Sequence, residues 1–310
     1  MAMTYLLKRD IDWDSYEKDT GMHEVEAKAI LSAGNGMNLY RGCSHGCIYC
    51  DARSTCYQMK HRFEDIEVKK NAPVLLEEAL RKKRKRCMIG TGAMSDPYLH
   101  LEKELCLTRR CLELIAEYGF GAAIQTKSDL ILRDKALLAQ INDRTKAVVQ
   151  MTLTTADEKL CGIVEPNVCT TKRRFEVLLE MKEAGIPTVV WLSPILPFLN
   201  DTEENILAIL DYCREAGVYG IISFGMGLTL RDGDRQYFYQ KLDTHFPGLK
   251  QKYVKTYGDA YELPSLRSSA LHRLFHEKCA EYGIVSDRDA LFSYMHTFED
   301  KGEGEQLSLF

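Results

Sequence analysis

Three cysteines fall within eight residues of the stretch Arg41-Gly42-Cys43-Ser44-His45-Gly46-Cys47-Ile48-Tyr49-Cys50. Thiolates spaced so closely converge on a metal centre once the backbone curls, and Gly42 and Gly46 supply that freedom. Two metal readings compete. Structural zinc wants four closed ligands, with Cys56 or His45 as the fourth, and favours two separated C-x2-C pairs. This is a single C-x3-C-x2-C group, a spacing that favours an iron–sulfur cluster. Three protein ligands to a four-iron cluster leave one iron open, a place for a substrate or cofactor.

The rest of the composition frames that site. The chain has 310 residues, of which 45% are hydrophobic and 28% charged, so it can bury a sizeable core. No apolar run is long enough to cross a membrane, and the opening MAMTYLLKRDIDWD meets charge too early for a secretory signal. The expectation is a cytosolic protein with no membrane partner, where disulfides are rare and clustered cysteines mean metal or catalysis. The scattered ones (Cys56, Cys87, Cys106, Cys111, Cys161, Cys169, Cys213, Cys279) mostly read as small buried hydrophobes. The net charge of −4 gives no general pull toward nucleic acid. One run, Arg81-Lys82-Lys83-Arg84-Lys85-Arg86, is cationic throughout; it reads as a solvated helix end, with phosphate contact the second reading.

The elements that must position the cysteines alternate. Strands are expected at Met37–Tyr40, Cys87–Gly90, Ala122–Gln125, Ala147–Leu153, Thr188–Leu192 and Gly220–Phe224. Helices are expected at Ala72–Arg84, Thr108–Tyr118, Asp129–Ile141, Lys172–Ala184 and Glu203–Ala216. This rhythm implies an α/β fold with parallel strands and right-handed crossovers. No G-x-G-x-x-G follows the first strand, so a partial six-unit β/α barrel fits better than a doubly wound sheet. Polar residues sit where such a barrel collects its chemistry, after the strands: the cysteines, Gly-Ala-Met-Ser-Asp-Pro at 92–97, and Thr126-Lys127-Ser128-Asp129. The expected parts are an N-terminal extension (1–35), the barrel (36–226), a helical part closing it (227–298) and a flexible tail (299–310).

The C-x3-C-x2-C loop, with Tyr49 just before its last cysteine, resembles the radical S-adenosylmethionine (SAM) superfamily. The resemblance implies a 4Fe-4S cluster on Cys43, Cys47 and Cys50, with SAM chelating the open iron. An electron delivered through the cluster, from a donor such as flavodoxin or ferredoxin, would cleave SAM to a 5′-deoxyadenosyl radical that abstracts hydrogen. Further stretches are similar to the spore photoproduct lyase-like group: Gly90-Thr91-Gly92-Ala93-Met94-Ser95-Asp96-Pro97-Tyr98, Glu102, Leu107-Thr108-Arg109-Arg110-Cys111-Leu112, Thr126-Lys127-Ser128, Glu165-Pro166 and Pro194-Ile195-Leu196-Pro197-Phe198-Leu199-Asn200-Asp201. By that resemblance Ser95 and Asp96 contact the methionyl end of SAM, Lys127 pairs with its carboxylate, and Tyr49 and Thr152 face the cofactor. The pattern departs at one point. The lyases carry a hydrogen-donating cysteine two residues before the Ser-Asp pair, and this chain has Ala93 there.

The stretch Gln306-Leu307-Ser308-Leu309-Phe310 resembles the peptide that docks bacterial replication and repair proteins on the DNA polymerase III beta sliding clamp. Glutamine would make amide hydrogen bonds while Leu307, Leu309 and Phe310 fill apolar pockets. Together these readings lead to a radical SAM enzyme acting on DNA, in repair or modification. A peptide, RNA or small-molecule substrate, and a non-catalytic clamp-binding regulator, are the alternatives.

Overall fold

A computed structural model describes residues 21–302. Its strands, in chain order, are β1 (Met22–Val25), β2 (Gly36–Met37), β3 (Tyr40–Arg41), β4 (Ile66–Lys69), β5 (Met88–Thr91), β6 (Gly121–Thr126), β7 (Ala147–Thr152), β8 (Thr188–Trp191), β9 (Gly220–Ile222), β10 (Gly227–Thr229) and β11 (Glu262–Pro264). Strands β2, β5, β6, β7, β8 and β9 form one six-stranded sheet in that order, with every neighbouring pair parallel. Helices fill the connections, among them Ala72–Lys82, Leu107–Glu117, Lys135–Arg144, Thr171–Glu183 and Glu203–Ala216. Strands taken strictly in turn wind in one direction, whereas a doubly wound sheet reverses at its middle. The expected α/β partial barrel is what forms.

Both faces of this sheet are buried, which explains why β7 (AVVQMT) is buried throughout. Outward residues such as Ile124, Val149, Val190 and Ile221 pack in the main core with the surrounding helices. Inward residues Met88, Ala123, Val148, Val189 and Ile222 pack instead against Leu291 and Met295. Those two belong to the helix Arg288–His296, which therefore plugs the barrel mostly toward the N-terminal ends of its strands. The C-terminal ends stay open.

Local chemistry sets the boundaries. Thr170 and Thr202 accept hydrogen bonds from Arg173 N and Asn205 N, capping the helices Thr171–Glu183 and Glu203–Ala216. Gly217, with φ +63°, closes the second. The helix expected over Asp129–Ile141 is divided into a 3-10 stretch, Asp129–Asp134, and an α-helix, Lys135–Arg144. The division falls at Asp134, whose fully buried carboxylate takes bonds from Tyr98, Arg109 and Arg133. Turning that side chain inward fixes the break.

Two expectations need correction. The boundary drawn before residue 36 cuts through a small sheet, β1-β4-β3, in which β1 pairs parallel with β4 and β3 antiparallel. Its strands MHEV and IEVK are short and charged, so no apolar run marked them. The tail is tied down where it was read as loose. Glu299 pairs with buried Lys146 at 2.5 Å, Asp300 with Arg86 at 3.3 Å, and Lys301 bonds to Asn142 and Arg144. The clamp-like stretch Gln306–Phe310 lies outside the described residues. The cationic run 81–86 is the helix end it was expected to be: it closes the helix Ala72–Lys82 and precedes β5, at the end of the barrel opposite the cysteines. Its Arg81, Lys82, Lys83 and Arg86 bond to Glu77, Glu78, Asn35 and Asp300.

Gly220 tests the plug. A Cβ there would lie 2.3 Å from Leu291 Cδ2 and 2.6 Å from the Val285 carbonyl oxygen. Gly220→Ala should destabilise the fold by about 1–3 kcal/mol through overpacking, read as a lower denaturation midpoint. An unchanged midpoint would show that the helix does not seat against β9 in this way.

Candidate iron–sulfur and cofactor site

The C-terminal ends of β5 to β8 open into a cavity of about 920 Å³, and Cys43, Cys47 and Cys50 all line it. The loop that carries them is clamped from several sides. Cys43 N donates to Phe63 O at 3.0 Å, Ile48 N to Val164 O at 3.0 Å, and Asn167 N to His45 O at 3.1 Å. Asn167 Nδ2 also reaches Ser44 O at 2.9 Å, and Ser95 Oγ reaches Gly42 O at 2.6 Å. Gly42 is required: its φ is +89°, and a Cβ would stand 2.5 Å from Phe63 O.

The geometry bears on the two metal readings. Around one zinc ion, thiolate sulfurs at about 2.3 Å from the metal lie under about 4 Å apart. Among the described residues, the one set of three His, Cys, Asp or Glu ligand atoms mutually within 4.8 Å is His23, His61 and Glu67, not the cysteines. Three sulfurs spread more widely suit a cluster that gives each its own iron. Burial, against the opposing pull of Lys127, pushes the Cys47 thiol up to about 12 and raises Cys50, and burial together with the neighbouring thiols raises Cys43. Bare thiolates are costly in such a place, and a cationic metal centre supplies the missing countercharge.

Lys127 extends from the end of β6 into the same cavity. Its ammonium has no hydrogen bond or ion pair within 4.0 Å to a described residue. Burial pulls its pKa down, but Cys47, Glu165 and Asp96 nearby outweigh that and hold it above the usual lysine value. A charged cation without a described partner on a cavity wall suits an anionic group.

Asp96 and Ser95 line the cavity too, yet their polar atoms are largely engaged within the frame. The Asp96 carboxylate accepts from Tyr98 N at 2.8 Å, Thr126 Oγ1 at 2.7 Å and Lys127 N at 2.8 Å. It therefore joins the end of β5 to the end of β6 and sets where Lys127 begins. Buried His45 stands 3.5 Å away, its pKa lowered chiefly by burial against the opposing pull of Asp96. Thr152, at the end of β7, lines the cavity while its carbonyl accepts from Arg174 Nη1 at 3.0 Å. Tyr49 lines it as well, with its hydroxyl committed to Glu165.

That last bond leads to residues whose role the sequence reading missed. Glu165 and Arg174 are both fully buried and meet at 2.5 Å. Burial pushes the Glu165 carboxyl up, but Arg174, Lys127 and the Tyr49 hydroxyl together outweigh it and hold it below its usual range; the Arg174 guanidinium also bonds Cys169 O at 2.9 Å. Glu165 was noticed within a Glu-Pro pair, but a buried arginine in an amphipathic helix carries no local signal. Ala93 and Met94 lie on the cavity wall, and among the described lining residues there is no cysteine beyond the three of the loop.

Comparison with known proteins fits this arrangement. The sequence profile of the Radical SAM superfamily matches residues 37–213, more than half of the chain. An uncharacterised protein of Mycobacterium tuberculosis (strain H37Rv) is 29% identical over 279 residues, covering 86% of this chain and 80% of that protein. One of Methanocaldococcus jannaschii is 32% identical over 181 residues, covering 58% and 67%. Among solved structures, a spore photoproduct lyase double mutant with bound AdoMet and dinucleoside spore photoproduct superposes with TM-score 0.59 at 12% identity, covering 84% of this chain and 79% of that one. At that identity the likeness is one of fold.

The buried pair generates a prediction. Arg174→Met leaves the Glu165 carboxylate buried without its cation, at a cost of about 3–5 kcal/mol, and the denaturation midpoint should fall accordingly. Adding Glu165→Gln should restore part of the loss. A midpoint unmoved by the single change would mean that the pair does not hold the site.

Proposed function

The chain belongs to the radical SAM superfamily, and we propose that it is a DNA-directed enzyme of the spore photoproduct lyase-like kind, loaded with one 4Fe-4S cluster and SAM. The observation that carries this reading is the shared cavity: three cysteines of one loop line it together with a lysine whose ammonium has no described partner. In this reading Cys43, Cys47 and Cys50 hold the cluster, and Lys127 receives the carboxylate of SAM. Thr152 and the Tyr49 ring border the cofactor. Ser95 and Asp96 act mainly by fixing the cysteine loop and the start of Lys127, with Ser95 still able to accept a bond. Cluster and SAM together supply one-electron cleavage of a sulfonium and, from it, hydrogen abstraction. The protein orients the partners and keeps water out. A small electron carrier such as flavodoxin or ferredoxin is the proposed donor.

The choice of DNA rests on the cavity wall and on the tail. Phe224 and Tyr261 line the cavity with exposed rings, and Arg288 lines it with its guanidinium 5.7 Å from the Phe224 ring centroid. Exposed aromatics beside arginine suit stacked bases and their phosphates. The run 81–86 does not line this cavity. Ala93 removes the lyases' donor thiol, so the proposed reaction is a DNA modification or repair that does not draw hydrogen from that position.

Anaerobic, reduced protein should turn SAM into 5′-deoxyadenosine, with turnover rising when damaged or undamaged DNA is added. No 5′-deoxyadenosine would favour a non-catalytic regulator, and turnover indifferent to DNA would favour a peptide, RNA or small-molecule substrate. Lys127→Ala removes a charge-assisted contact worth about 1.5–3 kcal/mol, so SAM affinity should fall about ten- to a hundredfold with the iron content unchanged. Unchanged affinity would take Lys127 out of the SAM site.

Recruitment through the DNA polymerase III beta sliding clamp by Gln306, Leu307, Ser308, Leu309 and Phe310 is part of the proposal. Large apolar groups entering pockets carry most of a small interface's energy, and so short a peptide binds at around micromolar affinity. Leu309→Ala with Phe310→Ala should abolish clamp binding in calorimetric titration while SAM cleavage persists. Equal affinity for the clamp in both proteins would remove it from the account.

A further inference from the structure

Away from the cavity, the small β1-β4-β3 sheet brings together two imidazoles and a carboxylate that nothing in the radical chemistry uses. His23 on β1 is the register partner of Glu67 on β4, so their side chains share one face of the sheet. His61, in the loop before β4, lays its ring against that of His23, with centroids 4.7 Å apart at 83°. One ligand atom from each of His23, His61 and Glu67 falls within 4.8 Å of the other two.

The hydrogen bonds around the rings are those of metal-ready imidazoles. His23 Nδ1 meets Asp65 Oδ1 at 3.0 Å, and His61 Nδ1 meets the Arg62 carbonyl oxygen at 3.0 Å. A carbonyl can only accept, so His61 Nδ1 carries the proton and Nε2 the lone pair; the carboxylate of Asp65 fixes His23 the same way. His61 Nε2 is buried without a hydrogen-bond partner and points at Glu67 Oε2 from 3.7 Å. A buried lone pair facing a carboxylate is repulsive unless a cation or a second ring proton lies between them, and a divalent cation would join all three groups at once.

We propose that His23, His61 and Glu67 form a second metal site, for a single divalent cation of the zinc class, with water completing the coordination. Two histidines and one glutamate form a recognised zinc donor set, and Asp65 and the Arg62 carbonyl orient the two rings from behind. The site has a structural consequence. Residues 61–67 form the wall behind the cysteine loop: Phe63 O receives Cys43 N, and Asp65 O lies 3.3 Å from where a Gly42 Cβ would be. A cation here ties that wall to β1 and stiffens the support of Cys43.

The test is elemental analysis of anaerobically purified, cluster-loaded protein equilibrated with zinc chloride and then dialysed. Wild type should retain about one zinc per chain besides its iron. His61→Ala should lose the zinc and keep the iron, which also shows that the variant is folded. Asp65→Asn, which leaves all three ligands in place, should weaken zinc binding about ten- to a hundredfold. The variant lacking all three loop cysteines should lose iron and keep zinc. Zinc missing from dialysed wild type, retained undiminished by His61→Ala, or lost with the cysteines would overturn the site.

Discussion

A carboxylate sealed from water fixes the geometry of this protein. Glu165, just after a short helix that follows β7, is fully buried and survives as an anion because Arg174, equally buried, meets it at 2.5 Å. Tyr49, one residue from the last loop cysteine, reaches the same carboxylate. One ion pair therefore connects the cysteine loop, the end of β7 through Thr152 O, and the helix Thr171–Glu183. Buried pairs are poor stabilisers compared with apolar packing, but they hold partners in one register. Here the partners are the cysteines and the barrel.

A second carboxylate completes the frame from the other side. Asp96 gathers Tyr98 N, Thr126 Oγ1 and Lys127 N, so the loop after β5 and the end of β6 move as one piece. Ser95 extends it to Gly42, at the entry of the cysteine loop. Groups that touch the Lys127 backbone thereby set where its side chain meets the cavity wall. The plug helix Arg288–His296 fills the barrel below, so chemistry is confined to the end where these loops converge.

Much of this was legible in the sequence. The cysteine spacing, the six strands and the placing of Lys127 after β6 follow from local rules, because parallel strands buried on both faces read as apolar runs. The helix Glu203–Ala216 emerges with the bounds that its Thr202 cap and Gly217 stop dictate. What was not legible depends on contacts between distant residues. Arg174 looks like any helix arginine until Glu165 is brought to it. Asp96 reads as a ligand-facing acid until its three donors are in place. The charged strands β1 and β4, and with them the His23–Glu67 pairing, have no periodicity to betray them. Glu299, Asp300 and Lys301 have the composition of a free tail, yet each finds a partner at the floor of the barrel.

The central claim is that three protein thiolates leave one iron open beside Lys127 for SAM. Electron paramagnetic resonance of the reduced cluster, recorded before and after addition of SAM, tests it most directly. Ligation of the open iron by SAM should shift the g values and alter the line shape, and the Lys127→Ala protein should need more SAM for the same change. A fully assembled cluster whose spectrum is identical with and without saturating SAM would contradict the account.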